Sequence, residues 1–169
     1  MKPKRISKNH YYLGIAKEVA RRSTCHRRSI GAIIIRDDQI ISTGYVGAPR
    51  KTKDSLEHGF CLRDKMNIPH GQRYELCRSV HAEQNAIINA ARAGVSLLGG
   101  DMYIYGSRAG QLKQINAFPC FICKKMIINA GLNRVICSTE DGKMKIFRIS
   151  DWAKEWMDGD ILDDSHQYG

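Results

Sequence analysis

His81 and Glu83 lie two residues apart, and Cys120 and Cys123 lie three apart behind Pro119. One imidazole and two thiolates are ligands of the kind Zn²⁺ takes, and three protein ligands leave a fourth tetrahedral position open to water, which is the arrangement of a catalytic site. Glu83 is not needed as a ligand once that set is filled. A carboxylate beside a metal-activated water can take its proton near neutral pH and return protons to substrate and leaving group, so Glu83 reads as the proton shuttle. The alternative is a closed structural site with Cys77, one helical turn before His81, as the fourth ligand; that site gives Glu83 no role.

Alone, a Cys-x-x-Cys pair is weak, because redox pairs and structural zinc sites share the spacing. His-x-Glu followed by Pro-Cys-x-x-Cys is the pattern of the zinc-dependent nucleobase deaminases, and the chain carries both parts in that order. The long separation between them means that the fold must bring two elements together. Both groups open helical patterns: Ala86, Ile87, Ile88, Ala90 and Ala91 recur at helical steps up to Gly94, and Ile122, Met126, Ile127 and Ala130 up to Gly131. Each ligand group is thus expected in a first helical turn, where the positive end of the macrodipole favours thiolates.

The chain has 169 residues, enough for one domain with a proper core, and its 43% hydrophobic and 26% charged residues are ordinary for a globular protein. No apolar run reaches membrane-spanning length and the N-terminus lacks a signal-peptide core, so a cytoplasmic protein is expected. Six cysteines in such a chain indicate metal ligands or free thiols rather than a disulfide scaffold. The formal net charge of +10 is uneven: residues 1–30 hold nine Lys/Arg against one Glu, and residues 151–169 hold one Lys against six Asp/Glu. A basic chain suits nucleic acid, nucleotides or other anions, and charge alone does not choose among them.

Taken in order, residues 10–22 read as an amphipathic helix packed through Tyr12, Ile15, Ala16, Val19 and Ala20. Residues 30–36 and 39–43 read as a hairpin turned at Asp37-Asp38, and the apolar run Ile33-Ile34-Ile35 predicts burial on both faces. A glycine-rich loop, 44–50, follows. Residues 48–78 form an irregular basic insertion, and we expect a second, structural zinc there on Cys25, Cys61 and Cys77, or else buried free thiols. Residues 102–105 are a strand, 106–117 a polar loop walling the pocket, 134–137 and 145–148 the last strands. Trp152 and Trp156 anchor a closing helix before an acidic tail at 158–169. Alternating helices and strands predict one three-layer α/β/α domain with a mixed, about five-stranded sheet.

Ser23-x-Cys25 before Ile30-Gly31-Ala32, Gly44-Tyr45-x-Gly47-x-Pro49, Arg73-Tyr74, His81-Ala82-Glu83-x-Asn85-Ala86-Ile87 and Pro119-Cys120-x-x-Cys123 up to Ala130-Gly131 together resemble the deoxycytidylate deaminase family over roughly residues 10–140. The resemblance implies a cytidine deaminase-like fold and hydrolytic removal of the 4-amino group of dCMP, giving dUMP and ammonia. His81, Cys120 and Cys123 would hold zinc and Glu83 would move protons. It also implies a homo-oligomer, often a hexamer, and regulation by dCTP and dTTP with Mg²⁺ on the nucleotide.

A phosphorylated substrate needs a clamp. Arg27, Arg28 and Arg73 are candidates because a guanidinium grips phosphate with two hydrogen bonds, and Tyr45 and Tyr74 are further candidate substrate contacts. The competing readings are a deaminase acting on polynucleotide (tRNA adenosine or single-stranded cytosine), supported by the +10 charge, and a non-catalytic zinc protein binding nucleotide. Against the first, no clear series of aromatics is interleaved with the basic residues.

Overall fold

The computed structural model describes residues 5–69, 71–111 and 113–159. The acidic tail from residue 160 onward, and His70 in the insertion, lie outside the described residues.

Helix α1 spans Lys8–Ala20, two residues earlier at each end than its periodicity predicts, because the Ser7 hydroxyl accepts from the His10 amide and caps it. Strands β1 (Arg28–Arg36) and β2 (Gln39–Tyr45) form the expected hairpin. Its turn residues Asp37 and Asp38 both take positive φ, the geometry of a two-residue turn that matches strand twist. Helix α2 (Ser55–His58), helix α3 (Leu62–Lys65) and a 3₁₀ turn at Tyr74–Leu76 are the regular pieces of the insertion among the described residues. Helix α4 (Ala82–Arg92), strand β3 (Asp101–Arg108), helix α5 (Phe121–Asn129), strands β4 (Arg134–Ser138) and β5 (Met144–Arg148), and helix α6 (Ile149–Asp158) complete the described chain.

The sheet runs β2-β1-β3-β4-β5, with β3 and β4 parallel and every other pair antiparallel. Side chains alternate across it as a pleat requires. Ile33, Ile35, Tyr103, Tyr105 and Ile136 pack with α1 on one face. Ala32, Ile34, Met102, Ile104, Val135 and Cys137 pack under α4, α5 and α6 on the other. The three layers and the mixed five-stranded sheet are therefore as expected, including the two-sided burial of the Ile33-Ile34-Ile35 run.

Two glycines allow the layers to approach. A Cβ at Gly31 would stand 2.3 Å from the Ala16 carbonyl oxygen, and one at Gly44 would stand 2.3 Å from the Ala82 oxygen and 2.3 Å from the Ala86 nitrogen. The first turn of α4 thus lies directly on β2. Polar side chains then fasten it: Ser42 Oγ donates to the Ala86 carbonyl at 2.6 Å, while Asn85 and Asn89 donate to the Tyr45 and Thr43 carbonyls at 2.8 Å each.

Two details depart from the periodicity. Ile122 and Ile88 are 43% and 42% exposed, because α5 turns Phe121, Cys123, Lys124 and Ile127 inward and α4 turns Ala82, Glu83, Ala86 and Ala90 inward. Residues 106–117 are not a free loop. β3 continues to Arg108, and the chain folds back on it, with the Ile115 amide donating to the Gly106 carbonyl and the Ala117 amide to the Ser138 carbonyl. No helix among the described residues is long and apolar enough to cross a membrane.

Candidate active site

His81 is the N-cap residue of α4 and Cys120 the N-cap residue of α5, so the two helices begin at the same place. The crossover from β3 through α5 to parallel β4 puts that place outside the carboxyl ends of the parallel strands, where open α/β sheets bind their ligands. Backbone bonds hold each arm. Gly47 and Val80 exchange amide–carbonyl bonds of 3.2 and 2.8 Å just ahead of His81, and the Gln84 side chain accepts from the His81 amide at 3.0 Å. On the other arm, the Ala117–Ser138 bond fixes the approach to Pro119 and Cys120.

The three expected ligands converge. His81 Nδ1 lies 3.4 Å from Cys120 Sγ and 3.4 Å from Cys123 Sγ, and the ligand atoms all lie within 4.8 Å of one another. The donor set, one nitrogen and two sulfurs at tetrahedral-edge separations, fits Zn²⁺. Donation from Cys123, with His81 beside it, holds the Cys120 thiol down at about 4, while serving as that donor and burial push Cys123 up. A divalent cation held by the three would supply the positive charge that keeps both sulfurs as thiolates.

Glu83 is 5% exposed, and burial raises its carboxyl pKa against the opposing pull of His81. A carboxyl raised in this way holds a proton at higher pH than a solvated one and suits alternating acid and base roles.

A cavity of about 250 Å³ opens above this group. His81, Glu83 and Cys120 line one side, taken as its inner wall, and Asn116 of the folded-back 106–117 segment lines it too, as expected for that segment, with Phe118 just beyond. The remaining lining, taken as its outer wall, comes from the insertion, the residues just before β1 and the first residue of β1. Arg27, Arg28 and Tyr74, all candidates from the sequence, line it. The Tyr74 ring meets the His81 ring edge to face, with centroids 5.3 Å apart and planes at 86°. Arg27 is held by Asp64 of α3, and burial lowers the pKa of Arg28.

Two other candidates are placed elsewhere. Tyr45 is 36% exposed and does not line the cavity; its contribution to this region is the backbone carbonyl that receives Asn85. Arg73 is solvent-exposed, pairs with Glu75, and is likewise absent from the cavity wall. Strand alternation turns Tyr45 outward, and the positive φ of Arg73 starts the 3₁₀ turn that carries Tyr74 inward instead.

Cys25, Cys61 and Cys77 all line the cavity as free thiols. Among the described residues, however, His81, Cys120 and Cys123 are the one group of three such ligands within metal-binding reach.

Sequence reasoning overlooked Arg63. Its side chain is 5% exposed, it lines the cavity, and its guanidinium stacks 4.8 Å from the Tyr74 ring centre. The only sign in the sequence was its place in the basic insertion, which is shared with several exposed lysines and arginines. Ser79 and Val46 also line the wall; Val46 is buried by backbone bonds to Ile30 and Thr24.

Residues 6–139 match the family model described as the cytidine and deoxycytidylate deaminase zinc-binding region. The chain is 30% identical over 135 residues to the deoxycytidylate deaminase of Schizosaccharomyces pombe, covering 80% of this chain and 38% of that protein. It thus spans well under half of that relative's length. It is 31% identical over 137 residues to the deoxycytidylate deaminase of Mycobacterium phage D29, covering 78% of this chain and 94% of that one. Among solved structures, the dCMP deaminase of cyanophage S-TIM5 in apo form superposes with a TM-score of 0.57 at 25% identity, over 82% of this chain and 86% of that one. This chain belongs to the cytidine and deoxycytidylate deaminase family and carries that family's zinc-binding region.

Proposed function

We propose that the protein is a zinc-dependent hydrolase that converts dCMP to dUMP and ammonia in pyrimidine deoxynucleotide metabolism. The observation that carries this reading is one cavity with His81, Cys120 and the buried Glu83 on its inner wall and arginines on its outer wall. The deoxycytidylate deaminases among its relatives support it, as does the S-TIM5 phage enzyme, whose structure was also solved with dCMP and dUMP.

Zinc on His81, Cys120 and Cys123 would supply a Lewis acid that lowers the pKa of water. The protein's own groups do the rest. Tyr74 and Phe118 bound the space for a flat pyrimidine ring. Glu83, its proton affinity raised by burial, takes a proton from the attacking water and gives it to N3 as C4 is attacked, then takes the C4 hydroxyl proton of the adduct and delivers it to the departing ammonia. Arg27 and Arg28 hold the charged end of the substrate.

Turnover of cytidine, deoxycytidine, dCMP, dCTP and a short cytosine-containing oligonucleotide by zinc-loaded protein tests this reading, followed by ammonia release. The expected result is dCMP above the rest, with Glu83→Gln retaining zinc and losing turnover. Deamination surviving in Glu83→Gln overturns the role of Glu83, and preference for the oligonucleotide overturns the substrate.

Finer elements of the proposal have their own tests. A second, structural zinc on Cys25, Cys61 and Cys77 is supported by their common place on one wall. Two zincs per chain, falling to one in Cys61→Ser, is its expected result. A homo-oligomer, regulation by dCTP and dTTP with Mg²⁺, and a cytoplasmic setting follow from the family reading. Sedimentation and dCMP kinetics with each triphosphate check the first two.

A further inference from the structure

The segment that leads into α5 brings a side chain to the cavity at every second position. Asn116, Phe118 and Cys120 line it, while Ala117 and Pro119 between them are buried. Side chains alternate in this way along an extended chain. The β4–β5 hairpin braces the strip. The Ala117 amide donates to the Ser138 carbonyl at 3.0 Å, and Gln114 Nε2 donates to the Thr139 carbonyl at 2.9 Å. The Phe118 ring meets Phe147 of β5 edge to face with centroids 5.3 Å apart, and the Lys145 ammonium stands 5.3 Å from the centre of the Phe118 ring.

Asn116 is held by its oxygen. Oδ1 accepts from the Glu140 backbone amide at 3.1 Å, and since that amide can only donate, the bond fixes which way the carboxamide faces. The other half, Nδ2 with its two N–H donors, has no partner among the described residues, and Asn116 is an exposed residue on the cavity wall. The side chain therefore offers the cavity donors and no acceptor.

Position along the strip limits what those donors meet. At about 3.3 Å per extended residue, Phe118 stands roughly 7 Å and Asn116 roughly 13 Å along the chain from Cys120. A pyrimidine whose reacting carbon is at the His81, Cys120 and Cys123 group lies alongside Phe118, and what the ring carries lies alongside Asn116. In a nucleoside that is the pentose, whose neutral oxygens match a neutral donor. The cationic candidates Arg27 and Arg28 come from a different segment.

We infer that Asn116 is a specificity residue that donates through Nδ2 to a pentose oxygen of the substrate, holding nucleosides and nucleotides alike and giving the free base nothing. The inference deepens the proposed deaminase reading and rests on it for the identity of the base. The fold-back of residues 106–117 then has a purpose: it carries Asn116 past Phe118 and ties it to the β4–β5 turn.

Two substitutions test this. Asn116→Asp keeps an oxygen for the Glu140 amide and loses both donors; Asn116→Ala loses the donors without adding charge. Zinc-loaded wild type and variants are compared in kcat/KM for dCMP and deoxycytidine, and in calorimetric binding of dUMP, deoxyuridine and uracil. Loss of one neutral hydrogen bond predicts a fall of about three- to tenfold for both substrates in Asn116→Ala, carried by KM, with dUMP and deoxyuridine weakened by the same factor and uracil bound no more weakly than before. In Asn116→Asp the uncharged ligands fall equally, and dCMP falls further because a carboxylate now faces an anion. If deoxycytidine and deoxyuridine are weakened in Asn116→Ala but spared in Asn116→Asp, Asn116 serves only to hold Glu140 and the inference is overturned. A loss confined to dCMP and dUMP in Asn116→Ala moves the contact to the phosphate, an equal loss for uracil moves it to the base, and either result overturns the inference as well. If wild type turns over neither substrate, the deaminase reading fails by itself and product binding decides: deoxyuridine bound by wild type and weakened in Asn116→Asp supports the contact, while unchanged or absent binding overturns it.

Discussion

The two walls of the cavity are built on different principles. The inner wall stands on helix starts: His81 and Cys120 cap α4 and α5, and α4 is fastened to β2 by Ser42, Asn85 and Asn89 over a glycine that admits close contact. The outer wall stands on two four-residue helices and a 3₁₀ turn, tied to the segment before β1 by the Arg27–Asp64 pair and by His26 Nε2 meeting the Ser55 carbonyl at 2.8 Å. On the proposed reading, groups that need fixed geometry for proton transfer sit on the scaffold, and groups proposed to meet the substrate sit on the irregular segment.

That contrast is broken most completely from the inner side. His81→Ala removes one of three ligands, and the expected outcome is loss of bound zinc, read by metal analysis, with turnover falling to background. Gly44→Val drives a side chain into the backbone of α4, where even a Cβ would be 2.3 Å from two atoms. Overpacking against rigid backbone should cost about 3 kcal/mol or more, read in urea unfolding, and displace His81 and Glu83 together. Ser42→Ala removes the 2.6 Å bond to the Ala86 carbonyl and should cost about 1 kcal/mol by the same measurement, with zinc retained. On the outer side, Arg73→Ala loses only an exposed pair with Glu75, so stability should change by less than about 0.5 kcal/mol and the KM for dCMP should stay at its wild-type value. A rise in that KM would return Arg73 to the list of substrate contacts.

The inner wall was legible because its signals are local. A ligand type, a spacing and an apolar period at the start of a helix are all written in consecutive residues, and they located His81, Glu83, Cys120 and Cys123. The outer wall was half legible. Arg27, Arg28 and Tyr74 were recognised by type, but Tyr45 and Arg73 were chosen on the same grounds and point elsewhere. Arg63 was missed although it is the most deeply buried arginine on the wall, because a basic residue in an irregular segment looks like its solvated neighbours until the fold covers it.

The sequence by itself pointed to the three candidate ligands that converge, the buried carboxylate beside them, the order of the main strands and helices, and the two-sided burial of β1, because each depends on residue chemistry or on periods of two and 3.6 residues. Only the tertiary structure decided which arginines face the cavity, that residues 106–117 fold back on β3, and that Cys25, Cys61 and Cys77 share a wall without gathering into a ligand cluster. Those outcomes depend on which distant segments are pressed together and on which side chains are shut off from water, and neither is encoded in the spacing of neighbouring residues.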